Sequence, residues 1–159
     1  MTVSFLLNGK SESLDLPPNK RLIDVIREDF GYSGNRAGCY TGSCGTCAVF
    51  INRELAYSCL VPIFAVQGAD IITFEGMKGK QEFDDIIAGF EAAEYQPCSI
   101  CRQGKVMAVY ALLINHAEPE KAYVDEYLSG HRCGCSSMTG LYRAIEQIVR
   151  IRRTRRHVR

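Results

Sequence analysis

No apolar run in the 159 residues approaches the roughly 18 that a membrane-spanning helix requires, so no membrane role is expected. The opening MTVSFLLNGKSESL has no basic n-region, and its apolar stretch ends after about five residues. That speaks against a cleaved secretory signal and makes the cytoplasm the expected compartment. Histidine is scarce, with three residues in all. No Ser/His/Asp grouping, paired acids or phosphate loop stands out, so no catalytic residue is assigned and no substrate chemistry is expected on this chain. There is no internal repeat, and the one biased segment is the arginine-rich end.

Cysteine is the residue in excess. With 47% hydrophobic and 23% charged residues the chain reads as globular and soluble, yet it carries eight cysteines. Persistent disulfides do not suit a reducing compartment. Their distribution points the same way: Cys39, Cys44, Cys47 and Cys59 form one group, and Cys98, Cys101, Cys133 and Cys135 form another. Two groups of four, each with a C-x-x-C step, match two four-thiolate metal centres.

The charge is uneven. The net value is +1, but the last ten residues, RIRRTRRHVR, hold six arginines; without them 13 Lys+Arg face 18 Asp+Glu, a formal −5. The expectation for residues 151–159 is a basic tail, solvated or docked on an acidic partner subunit. A single basic run without interleaved aromatics does not make a nucleic-acid site, so none is expected.

Val3, Phe5 and Leu7 alternate with Ser4, Leu6 and Asn8, which predicts a half-buried strand, and Asn8-Gly9 is a hairpin turn leading into Ser11–Leu16. Leu22, Ile23, Val25, Ile26 and Phe30 recur at helical spacing up to Gly31. Gly31–Cys47 reads as a loop, Ala48–Asn52 and Glu54–Ser58 as a second hairpin, and Asp70–Phe74 as a further strand. Gly76-Met77-Lys78-Gly79 is the candidate linker between a first domain over 1–76 and a second over 80–150. Beyond it the period becomes helical: Phe83, Ile86, Ile87 and Phe90; Val106, Val109, Tyr110, Leu112 and Leu113, ending near Asn115; Tyr123, Val124, Tyr127 and Leu128 after Pro119; and Leu141, Ile145, Ile148 and Val149. Halves of this size have marginal cores, and a metal centre would stabilise each.

Cys39, Cys44 and Cys47 stand as C-x4-C-x2-C, with Cys59 following, the spacing of plant-type 2Fe–2S ferredoxins. Gly38, Gly42 and Gly45 let the loop curl, and a curled loop turns backbone N–H groups towards the sulfurs. A zinc ribbon would pair two C-x2-C knuckles, and this half has one. In the second half Cys98 and Cys101 precede one long helix while Cys133 and Cys135 precede the last. The positive ends of two helix dipoles would then favour thiolates there. His131, two residues from Cys133, invites a ligand role, but eight cysteines already fill two four-ligand sites. His116 and His157 read as surface residues. Tyr40, between ligands, either shields the site from water or fills the loop.

The whole arrangement, C-x4-C-x2-C-x11-C followed by C-x2-C-x31-C-x-C, resembles the small iron–sulfur subunit of the molybdenum hydroxylases, the family of xanthine dehydrogenase, aldehyde oxidoreductase and nicotinate dehydrogenase. The resemblance spans nearly the whole chain and all eight cysteines. It implies an α+β chain: an N-terminal β-grasp, plant-type ferredoxin-like domain, then a small four-helix-bundle domain, each with one 2Fe–2S cluster. It also implies a large molybdopterin-binding subunit and an FAD-binding subunit as partners, with molybdopterin and FAD held there. Electrons would pass through the helical-domain cluster and then the ferredoxin-domain cluster to flavin or another acceptor. A free-standing two-cluster ferredoxin and a zinc-binding regulatory module are the alternatives. The chain departs from the family at Pro97, where members carry a glutamine that contacts the pterin; Gln96 stands one residue earlier. It departs again at Gly134, Ser136, Ser137 and Met138, around the last two cysteines.

Overall fold

The computed structural model describes residues 1–131 and 133–157. The first half is built on a mixed sheet in the order β2-β1-β5-β3-β4. Strand β1 (Thr2–Leu7) pairs antiparallel with β2 (Lys10–Asp15). Asn8 and Gly9 both take positive φ, 53° and 82°, the mirror-image turn that suits the twist of a tight hairpin. The second hairpin uses the same device: β3 (Ala48–Ile51) and β4 (Glu54–Tyr57) are joined by Asn52 and Arg53 at φ 51° and 72°. Strand β5 (Asp70–Ile72) closes the sheet, parallel to β1 and antiparallel to β3.

The predicted crossing helix begins as α1 (Leu22–Asp24) and continues in wider π-helical geometry over Val25–Asp29. It lays Leu22, Val25 and Ile26 on Val3, Phe5, Leu7, Val49 and Ile71, forming the first core. A mixed sheet crossed by one helix is the ferredoxin-like half expected from the sequence.

In the second half α3 (Gln81–Ala92), α4 (Arg102–Asn115), α5 (Lys121–Leu128) and α6 (Met138–His157) surround a separate core that includes Ile86, Phe90, Val109, Leu112, Leu141 and Ile148. Helices α3 and α6 meet closely because Gly89 has no side chain; a Cβ there would lie 2.2 Å from Ile148 Cγ1.

The two halves share a third core. Successive residues of a strand face opposite ways, so β3 sends Val49 into the sheet's own core while Ala48 and Phe50 pack on Met107 and Ala111 of α4. Gly76 and Met77, read from sequence as linker, lie in a short helix, α2 (Phe74–Met77), and Met77 is fully buried in this shared core. Glycine on both sides suggested a joint, but Gly76 is needed for a close approach instead: a Cβ there would meet Asn8 Oδ1 at 2.1 Å.

The basic end also differs from the tail expected. Residues 151–157 continue α6, since arginine is a good helix former and Leu141, Ile145 and Ile148 already fix the helix face. Arg152 donates to the Leu113 carbonyl, Arg153 pairs with Glu118, and Arg155 pairs with Asp85. These arginines bind α3, α4 and the connection between α4 and α5. Residues 158–159 and the His157 side chain lie outside the described residues. His116 is half-buried and stacks on Tyr123, ring centroids 3.8 Å apart. Among the described residues no helix is long and apolar enough to cross a membrane.

Candidate metal centres

The first cysteine group sits on a loop tied at both ends. Arg36 N donates to the Thr46 carbonyl at 3.0 Å and Thr46 Oγ1 donates to the Arg36 carbonyl at 2.9 Å, closing the segment that carries Cys39 and Cys44. Inside the ring Tyr40, Gly42 and Gly45 take φ of 58°, 76° and 70°, which turns the chain back on itself. Thr41 N donates to Cys39 Sγ at 3.3 Å, an inward-pointing amide of the kind the glycine pattern predicted. Cys47 is buried at the entry to β3. Ser58, next to Cys59, binds the Cys47 carbonyl twice, through its N–H at 3.2 Å and its hydroxyl at 2.7 Å. That pair of hydrogen bonds fixes the fourth cysteine against the third.

Asn35 is a residue that the sequence reading passed over. It is buried, donates to the Ala48 carbonyl, and accepts from Phe74 N at 3.2 Å. It therefore connects the cysteine loop to β3 and to the start of α2. No local pattern announces such a residue, because its partners lie 13 and 39 positions away.

The electrostatics of this loop are graded. Hydrogen bonds from the side chains of Thr41 and Ser43 and from the Thr41 backbone hold the Cys39 thiol at about 5. Burial pushes Cys47 up to about 12, with Cys59 and Cys44 close by. A group of thiolates in a dry site repel one another, and a bound cationic centre removes that opposition.

The second group converges from two helix starts. Cys101 immediately precedes α4, and its N–H and that of Arg102 donate to the Cys98 carbonyl at 3.1 and 3.0 Å. Cys133 and Cys135 precede α6, where Ser136 Oγ lies 3.6 Å from Cys133 Sγ and 3.0 Å from Tyr95 Oη. All four sulfurs lie within 4.8 Å of one another, and all eight cysteines are free of disulfides. Their ionisation is shared. Cys98 is lowered chiefly by its hydrogen bond with Cys135, while Cys101 is raised, first by burial and then by Cys133. Burial opposes ionisation of Cys133, but hydrogen bonds from Cys135 and Ser136 outweigh it and bring it to about 6. Cys135 is raised by Cys133 and is exposed.

His131 lies between the two sites. Its ring is 4% exposed and meets the Tyr57 ring edge-on with centroids 5.9 Å apart. Burial, assisted by the charge of Lys105, lowers it to about 4, so the ring is neutral at physiological pH. Its Nε2 is buried and has no hydrogen-bond partner among the described residues. Around the rims of the two loops the apolar side chains of Tyr40, Leu60 and Ile100 are exposed, and Arg27, Arg36, Gly38, Tyr40 and Ile100 line a cleft of about 460 Å³ between the loops. Pro97 is buried behind Cys98, whereas Gln96 is exposed.

A thiolate-only donor set in glycine-rich loops fits iron–sulfur centres, and comparison with known proteins agrees. Residues 5–64 match the 2Fe-2S iron-sulfur cluster binding domain family and residues 73–146 the 2Fe-2S binding domain family. The chain is 30% identical to the nicotinate dehydrogenase small FeS subunit of Eubacterium barkeri, over 94% of this chain and 95% of that protein. It is 32% identical to the isoquinoline 1-oxidoreductase subunit alpha of Brevundimonas diminuta, over 91% of this chain and 95% of that one. It superimposes on a chain of quinoline 2-oxidoreductase from Pseudomonas putida 86 with a TM-score of 0.85 at 27% identity, covering 97% of this chain and 96% of the other. The cysteine spacing, the two-part fold and these relatives agree: the chain belongs to the family of small iron–sulfur subunits of the molybdenum hydroxylases.

Proposed function

We propose that this chain is the electron-relay subunit of a molybdenum hydroxylase-type dehydrogenase. Cys39, Cys44, Cys47 and Cys59 would hold one 2Fe–2S cluster, and Cys98, Cys101, Cys133 and Cys135 the other. When bound, such centres accept and release single electrons, at about −400 mV for plant-type thiolate ligation and across a wide range as surroundings change. The observation that carries this reading is the convergence of Cys98, Cys101, Cys133 and Cys135, whose sulfurs meet within 4.8 Å although 31 residues separate the two pairs.

The chain's own residues hold and shield. Thr41 N and the hydroxyls near Cys39 and Cys133 offset sulfur charge, and burial of Cys47 and Cys59 keeps water from one side of the first site. The exposed Cys135 leaves the second site open to an electron donor. In this reading electrons come from a partner that binds molybdopterin and oxidises the substrate, reach the helical half, pass to the ferredoxin-like half, and leave to a partner that binds FAD. The exposed apolar rim of Tyr40, Leu60 and Ile100 suits docking of such subunits. With Pro97 buried and Gln96 exposed, any polar contact to a pterin from this connection between α3 and α4 would come from Gln96.

The experiment is anaerobic reconstitution of the full chain followed by metal analysis. The reading requires about four iron and four acid-labile sulfide per chain. Half that yield, with Cys98 and Cys101 freely alkylated, would remove the second centre. Affinity purification from the native host then tests the partners: co-purification of molybdenum- and flavin-containing chains supports the relay, and their absence overturns it.

A further inference from the structure

His131 belongs by sequence to the second cysteine group, two residues before Cys133, yet its ring lies against the first. A Cβ built on Gly45 would meet His131 Nδ1 at 2.1 Å, so the ring sits on the Gly45 α-carbon, between Cys44 and Cys47. Gly104, three residues after Cys101, reaches the same peptide; a Cβ there would meet the Gly45 carbonyl oxygen at 2.1 Å. The Gly45 peptide is therefore gripped between the two segments that carry the second quartet. Tyr57 completes the enclosure, with its ring edge-on to His131 and its hydroxyl against Gly130, where a Cβ would meet it at 2.1 Å. Among the described residues no hydrogen bond engages His131 Nε2, and packing holds the ring in place.

We propose that His131 is a positioning residue for electron exchange between the two cysteine sites: its ring is the wedge that fixes the Gly45 loop against the second quartet and so sets the separation of the two centres. The inference rests on the reading that both quartets hold clusters. In each exchange one electron leaves one site and arrives at the other, with no proton moved and no bond made or broken. What the protein controls is spacing and contact, and a tightly packed ring controls both.

The test uses the full chain, anaerobically loaded, as wild type, H131F and H131A. Iron and sulfide are counted first; a wild-type chain with fewer than two clusters contradicts the underlying reading, not the wedge. With loading established, electron paramagnetic resonance of the fully reduced protein reads the magnetic interaction between the two centres, which falls as they separate. H131F keeps a planar ring and retains the wild-type interaction. H131A leaves a cavity into which the Gly45 loop shifts towards the second quartet, and the interaction strengthens roughly twofold. Should H131A fail to load, H131V takes its place with the same expected direction. A fully loaded H131A or H131V with unchanged interaction, even at a lower melting temperature, makes His131 structural only and overturns the proposal. A fully loaded H131F that has lost the interaction overturns it as well.

Discussion

The Arg155 guanidinium pairs with the Asp85 carboxylate across 70 positions of sequence, fastening the last turns of α6 to α3. Asp85 is buried, with a side chain 4% exposed; Arg155 and, at 3.4 Å, Gln81 donate to its Oδ1, and among the described residues its Oδ2 has no partner. Removing the arginine strands a buried carboxylate. R155A is therefore expected to cost about 2 kcal/mol, between the values for exposed and fully buried pairs, because Arg155 itself is partly solvated. The double variant D85L/R155M, which removes both charges, recovers most of the loss. Urea unfolding of the two variants measures both effects.

Gly104 offers a sharper test of the contact between the halves. In an isolated helix, glycine to alanine gains about 1 kcal/mol. Here the new Cβ would press on the Gly45 carbonyl oxygen, a backbone atom in a tied loop. G104A should thus destabilise the protein and lower its iron retention, against helix propensity. Thermal unfolding with iron analysis decides the sign.

The cysteine groups are expected to fail independently. On the proposed assignment C59S removes a ligand from the first site and C98S one from the second, so each variant should bind about two iron where the wild type should bind about four. Loss of all iron from either variant would mean that the sites do not fill separately.

In the metal-free protein the thiols should differ in reactivity in a stated order. Hydrogen bonds from the Thr41 and Ser43 side chains and the Thr41 N–H stabilise the Cys39 thiolate, at about 5, whereas burial holds Cys47 at about 12. Near neutral pH Cys39 is ionised and Cys47 is not, and thiolate is the nucleophile. Alkylation followed by peptide mapping should therefore label Cys39 before Cys47. The sign for stability follows: a folded-state pKa below the unfolded one favours the apo fold at high pH. That contribution is fully present above the unfolded thiol's range and disappears as pH falls through about 5.

What the sequence made legible was local. Val3, Phe5 and Leu7 announced their strand by alternation, Asn8-Gly9 its turn by conformational need, and Leu112 and Leu113 the last turns of a helix that does end at Asn115. The cysteines were legible by spacing. Hidden from it were contacts between residues far apart. Asn35, joining β3 to α2, has no signature, and neither has Gly104 as a rest for the Gly45 peptide. Met77 looked like part of a joint because glycines flank it, and only the packing of α4 on β3 shows why it is buried. The arginines of α6 looked like a tail because composition shows charge but not the acids, Asp85 and Glu118, that receive it.

The proposed relay requires two clusters carried by eight cysteines. Redox titration of the anaerobically loaded chain, followed by low-temperature electron paramagnetic resonance, tests it most directly. Two distinct 2Fe–2S signals should appear, each developing with the uptake of one electron per chain. A single signal, or a colourless and silent protein after complete reconstitution, would contradict it.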